Sequence, residues 1–276
     1  MPFYPNGIGE ALGDTLATAE PLITSGDIWY VKSTIGADAA SPRGLDATRP
    51  LATLNQAVTN SASGDIIVLL DGHTETLATG GTITISKNLT IVGSGSSSGL
   101  PTAKITPQAL DALAITCSGA GIQWRNVWFE ERTAASTSSF FSITGARFQM
   151  IGCYAQLGAN DAALMSLGSG ADGARLVNTT VISTATALAS QPTTGIRVTA
   201  AIADLDLDGL VLDNGGYGFS SPYAFDNTTT SVAITRLKGQ SVSLLRGADM
   251  SLHASTTGHV NVQTATGNGR VLWAGM

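Results

Sequence analysis

The chain has 276 residues, 43% of them hydrophobic and only 12% charged, about half the charged share of an ordinary globular protein. That apolar content supports a sizeable core and excludes a disordered chain. The net charge of −6, the pI near 4.9 and the absence of any basic run among four lysines (Lys32, Lys87, Lys104, Lys238) argue against a nucleic-acid partner.

Residues 1–26 are punctuated by Pro2, Pro5, Gly7, Gly9, Gly13 and Pro21 and read as an extended N-terminal arm. Its Phe3, Tyr4, Ile8 and Leu12 need a surface to lie on, either the body of the chain or a partner. The start has neither a basic n-region nor a continuous apolar stretch, and no 18-residue apolar run occurs anywhere. Neither a signal peptide nor a membrane span is expected, so synthesis in a cytoplasm is.

The body, residues 27–276, opens with a strand at Ile28–Val31, followed by a Gly-, Ala-, Asp- and Pro-rich loop from Ser33 to Arg49. Leu51, Leu54 and Val58 lie three and four apart, the spacing of one helical face. With Pro50 suited to a first turn and Ser63-Gly64 to a stop, a helix is predicted over about 51–62. Its expected work is to plug the open first coil of a strand stack, hiding edge and core from water. Strands are predicted at Ile66–Leu70, Thr82–Ile85, Leu89–Val92, Lys104–Thr106 and Leu113–Thr116, separated by Gly-rich turns.

From Ile122 an apolar-x-apolar-x-x-apolar pattern repeats. Its copies are Ile122/Trp124/Val127, Phe148/Met150/Cys153, Leu176/Asn178/Val181, Leu205/Leu207/Leu210, Val232/Ile234/Leu237 and Val260/Val262/Ala265. Their first positions lie 26, 28, 29, 27 and 28 residues apart. A fixed period of this size marks a stacked architecture, and the local period of two makes its unit a strand. A last strand is predicted at Arg270–Trp273, which leaves almost no room for a C-terminal domain. The expected fold is all-β: a single-stranded right-handed parallel β-helix (solenoid) with a short N-terminal capping helix.

The stretches Gly26-Asp27-Ile28-Trp29-Tyr30-Val31 and Gly64-Asp65-Ile66-Ile67-Val68-Leu69-Leu70-Asp71-Gly72-His73-Thr74-Glu75-Thr76 resemble the first coil of pectin-lyase-like right-handed β-helix proteins. Thr48-Arg49-Pro50-Leu51-Ala52-Thr53-Leu54 resembles their cap helix. The wording is closest to members in tailed-bacteriophage genomes. It covers roughly residues 26–95; the rest is alike in its repeat alone. Such β-helices serve as lyases, hydrolases, tailspikes and capsid decoration proteins. Phage members are commonly trimers, so the resemblance implies a homotrimer.

For chemistry, the best cluster is Asp204-Leu205-Asp206-Leu207-Asp208. Alternation would put Asp204, Asp206 and Asp208 on one face, where they form a weak candidate for a divalent cation. The competing reading is a solvated outer strand face. An EF-hand-type loop is rejected, because Gly215 stands where the twelfth-position Glu would be. His73 and Glu75 could mimic an acid/base pair, but a turn held by local hydrogen bonds is the stronger reading. Glu130-Glu131-Arg132 is weakened because adjacent strand residues point to opposite faces. Cys117 and Cys153 have no metal-ligand spacing, and Cys153 reads as a buried small hydrophobe. Trp124 reads as core. Trp128, out of phase with Val127 and Phe129, reads as outward and suited to a subunit interface.

No catalytic residue, metal or cofactor is therefore expected, and an enzyme is not. The expectation is a virion protein of a tailed phage, made in the host cytoplasm: a trimeric decoration (cement) protein on the capsid exterior. Its arm would contact the major capsid protein through Phe3, Tyr4, Ile8 and Leu12. The alternative is a tailspike or receptor-binding β-helix that recognises or cleaves host surface glycans.

Overall fold

The structure is a computed structural model. It describes residues 26–40, 42–77, 82–107, 115–130, 138–158, 161–187, 191–215, 217–220, 223–227, 237–238, 242–246, 248–253, 262–265 and 271–274. The copies beginning at Val232 and Val260 start outside these residues, as does the arm with Phe3, Tyr4, Ile8 and Leu12.

Strands stack in parallel into three eight-stranded sheets. Sheet A runs from Ile28–Val31 through Ile66–Leu69, Thr90–Gly93, Gln123–Arg125, Gln149–Ile151, Arg175–Val177 and Leu205–Asp208 to Leu237–Lys238. Sheet B runs from Thr74–Leu77 to Val262–Ala265, and sheet C from Ile83–Ile85 to Val271–Ala274. The chain visits A, B and C in turn and then climbs one coil. This is a parallel β-solenoid with one helix.

Register shows where the repeat bends. Gln123 faces Gln149, Gln149 faces Arg175, Arg175 faces Asp206 and Asp206 faces Lys238, so successive coils take 26, 26, 31 and 32 residues. In the third coil the ladder is therefore Ala174, Leu176 and Thr179, not Leu176, Asn178 and Val181. Leu176 lies opposite Met150, and Asn178 is an exposed corner residue with φ 47. Leu237 lies opposite Leu205 and so opens its coil where the pattern had it closing one. Val262 lies opposite Val242, one corner later than expected. The extra residues fall between strands, because a one-residue slip within a strand would turn its core side chains outward.

The inward ladder is dry. Trp124, Phe129, Phe140, Phe141 and Phe148 are all buried. Phe141 sits at their centre, 5.4 Å from Trp124, 5.0 Å from Phe129, 5.0 Å from Phe140 and 6.4 Å from Phe148 between ring centroids. At the corner between sheets A and B the chain turns through left-handed residues: Asn126 (φ 52), Gly152 (φ 61), Asn178 (φ 47) and Gly209 (φ 67). Asn126 holds its corner by donating from Nδ2 to the Gly93 and Gly95 carbonyls at 2.8 and 3.0 Å.

The helix is shorter than predicted, Leu54–Asn60. Pro50 lies before it, because Leu51 is drawn into a strand-like bridge with Val31: its N–H donates to Tyr30 O and its carbonyl accepts from Lys32 N, both at 2.8 Å. Thr53 is the N-cap, accepting from Gln56 N, and Leu54, Ala57 and Val58 face the core.

Replacing Phe141 by Ala empties the centre of the ring cluster and should cost about 3–5 kcal/mol in urea unfolding. Ser142→Ala, on the outer side of the same strand, should cost under about 0.5 kcal/mol. Equal costs for the two would contradict the inward assignment.

Candidate functional site

The first coil differs in kind from those above it. Register carries Asp65 to the position filled by Leu89 and Ile122 in later coils, His73 to that of Ala103 and Val127, and Glu75 to that of Ile105 and Phe129. Three apolar core positions thus become titratable residues at the end of the stack. There the inner face meets the cap instead of another coil, and the cap brings backbone N–H groups that need partners.

Each residue answers such a need. Asp65 is buried; its Oδ1 accepts from Asp27 N, and its Oδ2 from Trp29 Nε1 and Ala62 N, all at 2.8 Å. Glu75 lies on a strand, not in the turn expected, and its Oε2 accepts from Leu54 N at 2.8 Å. Fully buried His73 accepts from Ser33 N at Nδ1 (3.1 Å). That contact assigns the ring proton to Nε2, which donates to Glu75 Oε2 at 3.2 Å. The His73–Glu75 pair is real, but both groups are spent on orienting backbone. Asp38, missed in the sequence, accepts from Ala52 N, Thr53 N and Thr53 Oγ1. At the helix C-terminus Lys87 Nζ donates to the carbonyls of Val58, Thr59 and Ser61 at 2.8, 3.2 and 2.6 Å, a cation where the helix dipole favours one. A cleft of about 290 Å³ opens beside Asp38, Thr53, Asn55, Glu75 and Thr76, yet its two carboxylates already serve the cap.

The acidic strip resolves differently from its pattern. Asp204 leaves the alternation because it turns the corner at φ 54, while Asp206 and Asp208 lie half-buried on the outer side of Leu205–Asp208. Arg175 and Lys238 flank Asp206 in register on the coils to either side. Arg175 Nε is 3.1 Å from Asp206, and Lys238 Nζ is 3.9 Å from Asp204. Among the described residues no three His, Cys, Asp or Glu side chains converge on a cation position. Asp204 and Asp206 are charge-paired with Lys238 and Arg175 instead, and Asp208 shares the outer side of the strand with Asp206.

Trp128 is outward and half-buried, as expected. Lys104 Nζ sits 3.9 Å from its ring centroid and also 3.2 Å from Glu130, which accepts from Thr106 as well. Tyr154 meets Trp128 edge to face, 5.3 Å away at 84°. Glu131 and Arg132 lie outside the described residues. Cys117 and Cys153 are free and buried. Burial pushes both thiols from 9.0 up to about 12, opposed weakly by a hydrogen bond from Trp124 at Cys117 and by backbone contacts at Cys153.

No protein-family model matches the sequence, and no curated protein does. Two solved structures align with most of this chain. Pectate lyase Pel9A has a TM-score of 0.44 and 10% identity, over 90% of this chain and 79% of that one. A pectin methylesterase from Aspergillus niger has a TM-score of 0.41 and 12% identity, over 91% and 86%. At such identities no activity passes from them to this chain.

Glu75→Ala would orphan the Leu54 N–H and the His73 Nε2–H and should cost about 2–5 kcal/mol in urea unfolding. Glu75→Leu, which restores the apolar ladder, should not recover that loss; full recovery would show the carboxylate has no capping role. The raised thiols keep the folded state protonated where the unfolded chain ionises. Stability should be insensitive to them below pH 9 and fall as pH rises from 9 toward 12. Replacing both cysteines by Ala should remove that part of the alkaline slope in unfolding titrations, and an unchanged slope would contradict it.

Proposed function

We propose that the chain is a structural virion protein of a tailed phage: a homotrimeric decoration protein standing on the outside of the capsid and bound to the major capsid protein. The observation that carries this reading is a pair of large apolar side chains left in solvent at the capped end. The arm proposed for residues 1–25 joins the body at Gly26, which packs beside Gly64 and Asp65 at that end. Ile35 and Leu45, both exposed large apolar side chains, lie on the loop that covers this same first coil. An apolar arm with apolar contacts beside it suits end-on attachment to a shell, for instance by strand addition. A rod that binds the assembled shell and not its free subunits stabilises the shell by mass action.

The tailspike alternative takes its support from Trp128 and Tyr154, since outward aromatics stack on sugars. Against it, Lys104 already lies over the Trp128 ring, and Tyr154 is set nearly perpendicular to that ring. A pyranose needs an open ring face.

Deleting residues 1–25 should leave the circular dichroism spectrum and the melting temperature of the body unchanged. It should abolish co-sedimentation with capsids that lack the protein, while the full chain saturates them and raises their melting temperature. A truncated chain that still decorates capsids to saturation would overturn the arm's role.

A further inference from the structure

We infer that the outer face of sheet B is the surface through which copies of this chain pack side by side, about an axis parallel to the stack. The inference rests on the trimeric part of the reading above and adds the surface. Because coils stack in register, each outward position forms a file running along the rod. On sheet B one file is Trp128, Tyr154, Thr180, Val211 and Ser243, each opposite the next. All five are half-buried and none is charged. At roughly 4.8 Å per coil the file runs about 19 Å.

The neighbouring file adds Gln156, Ile182, Asp213 and Leu245. Its one charge in that run is answered within the chain: Arg246 Nε lies 2.9 Å from Asp213 Oδ1, and its second nitrogen donates to Oδ2 at 2.9 Å. Lys104 and Glu130 cancel each other at the lower end. The other faces differ. Sheet A presents Arg175, Asp206 and Lys238 in one file and Asp208 in the next. Sheet C presents Thr84, Thr116, Ser142 and Ser166, and then Arg197 and Asp226, in one file.

Symmetry turns this contrast into a choice. Copies related by rotation about an axis along the rod hold the same residue at the same height, so a file on the axis meets itself. Each charged position in a file on the axis would set like charge against like in a desolvated contact. Sheet C escapes that from Thr84 to Ser166, with small hydroxyl side chains alone; the sheet B run escapes it from Trp128 to Ser243, above Lys104, which stands in the same file and is paired with Glu130. Sheet B also carries the half-buried apolar groups Trp128, Tyr154, Val211, Ile182 and Leu245, the residue types that interfaces favour at their centre. Lys104 and Tyr154 brace Trp128 on either coil, so the ridge is ordered before a partner arrives.

The test uses the full chain with single cysteines, since Cys117 and Cys153 are buried. Under mild oxidation Thr180→Cys and Val211→Cys should form interchain disulfides. Gln149→Cys on sheet A and Ser142→Cys on sheet C should not. In sedimentation velocity the wild-type chain should run as a trimer. Thr180→Lys with Val211→Lys should raise the concentration at which trimers dissociate at least about tenfold, with the β-sheet circular dichroism retained. Cross-linking at Gln149→Cys or Ser142→Cys instead, or a wild-type monomer, overturns the inference. Trimers cross-linked through Thr180→Cys that fail to bind capsids would sink the decoration reading and leave the interface standing. Monomers that decorate capsids would do the reverse.

Discussion

In-register stacking of parallel coils is the constraint on which the rest of this molecule depends. Side chains alternate along each strand, so the coils share one inner face only while every strand keeps its phase. The chain meets that demand with variable corners. Coils of 26, 31 and 32 residues sit on one another because the surplus is placed between strands. The inner ladder then becomes a column of apolar groups with Phe141 and its ring neighbours at its middle. The same stacking makes the outer surface a set of straight files, and each file's chemistry is the sum of one position over many coils.

A stack has an end, and the end sets different chemistry. The first coil has only the strand Ile28–Val31 beneath it, on sheet A, and the residues that would be core there meet a helix N-terminus and a loop. Asp65, His73 and Glu75 convert an apolar column into acceptors and donors for backbone groups, and Lys87 answers the helix carbonyls at the other side. An acid/base pair that resembles catalytic equipment is here part of the seal. The proposed docking function is placed at this same sealed end.

Much of this is legible in the sequence. The period, the strand unit and the existence of a capping helix come from apolar spacing, and the early strands fall within a residue or two of their predicted bounds, except Thr74–Leu77, which reads as a turn. The pattern fails where the ladder uses residues that an apolar search cannot see. Ala174 is small, and Thr179 is polar, hiding its hydroxyl by donating to the Met150 and Val177 carbonyls. A search that passes over both takes Leu176 for a first position and shifts the copy. Asp204 passes for part of a strand because alternation cannot reveal a positive φ. The cap residues are hidden for another reason: Asp65 and Glu75 stand at core positions, which becomes visible only once the first coil is aligned on the second. Trp128 reads correctly as outward, but the uncharged file it heads emerges only with the register.

The claim that joins these parts is that a closed rod stands on a capsid by its capped end, three copies to a post. Electron cryomicroscopy of shells built from the cognate major capsid protein, saturated with the full chain, tests it most directly. Trimeric posts are expected on the shell exterior, with Leu54–Asn60 nearest the shell and sheet B turned toward the three-fold axis. Posts seated by the opposite end, or density found at the tail with bare shells, would contradict it.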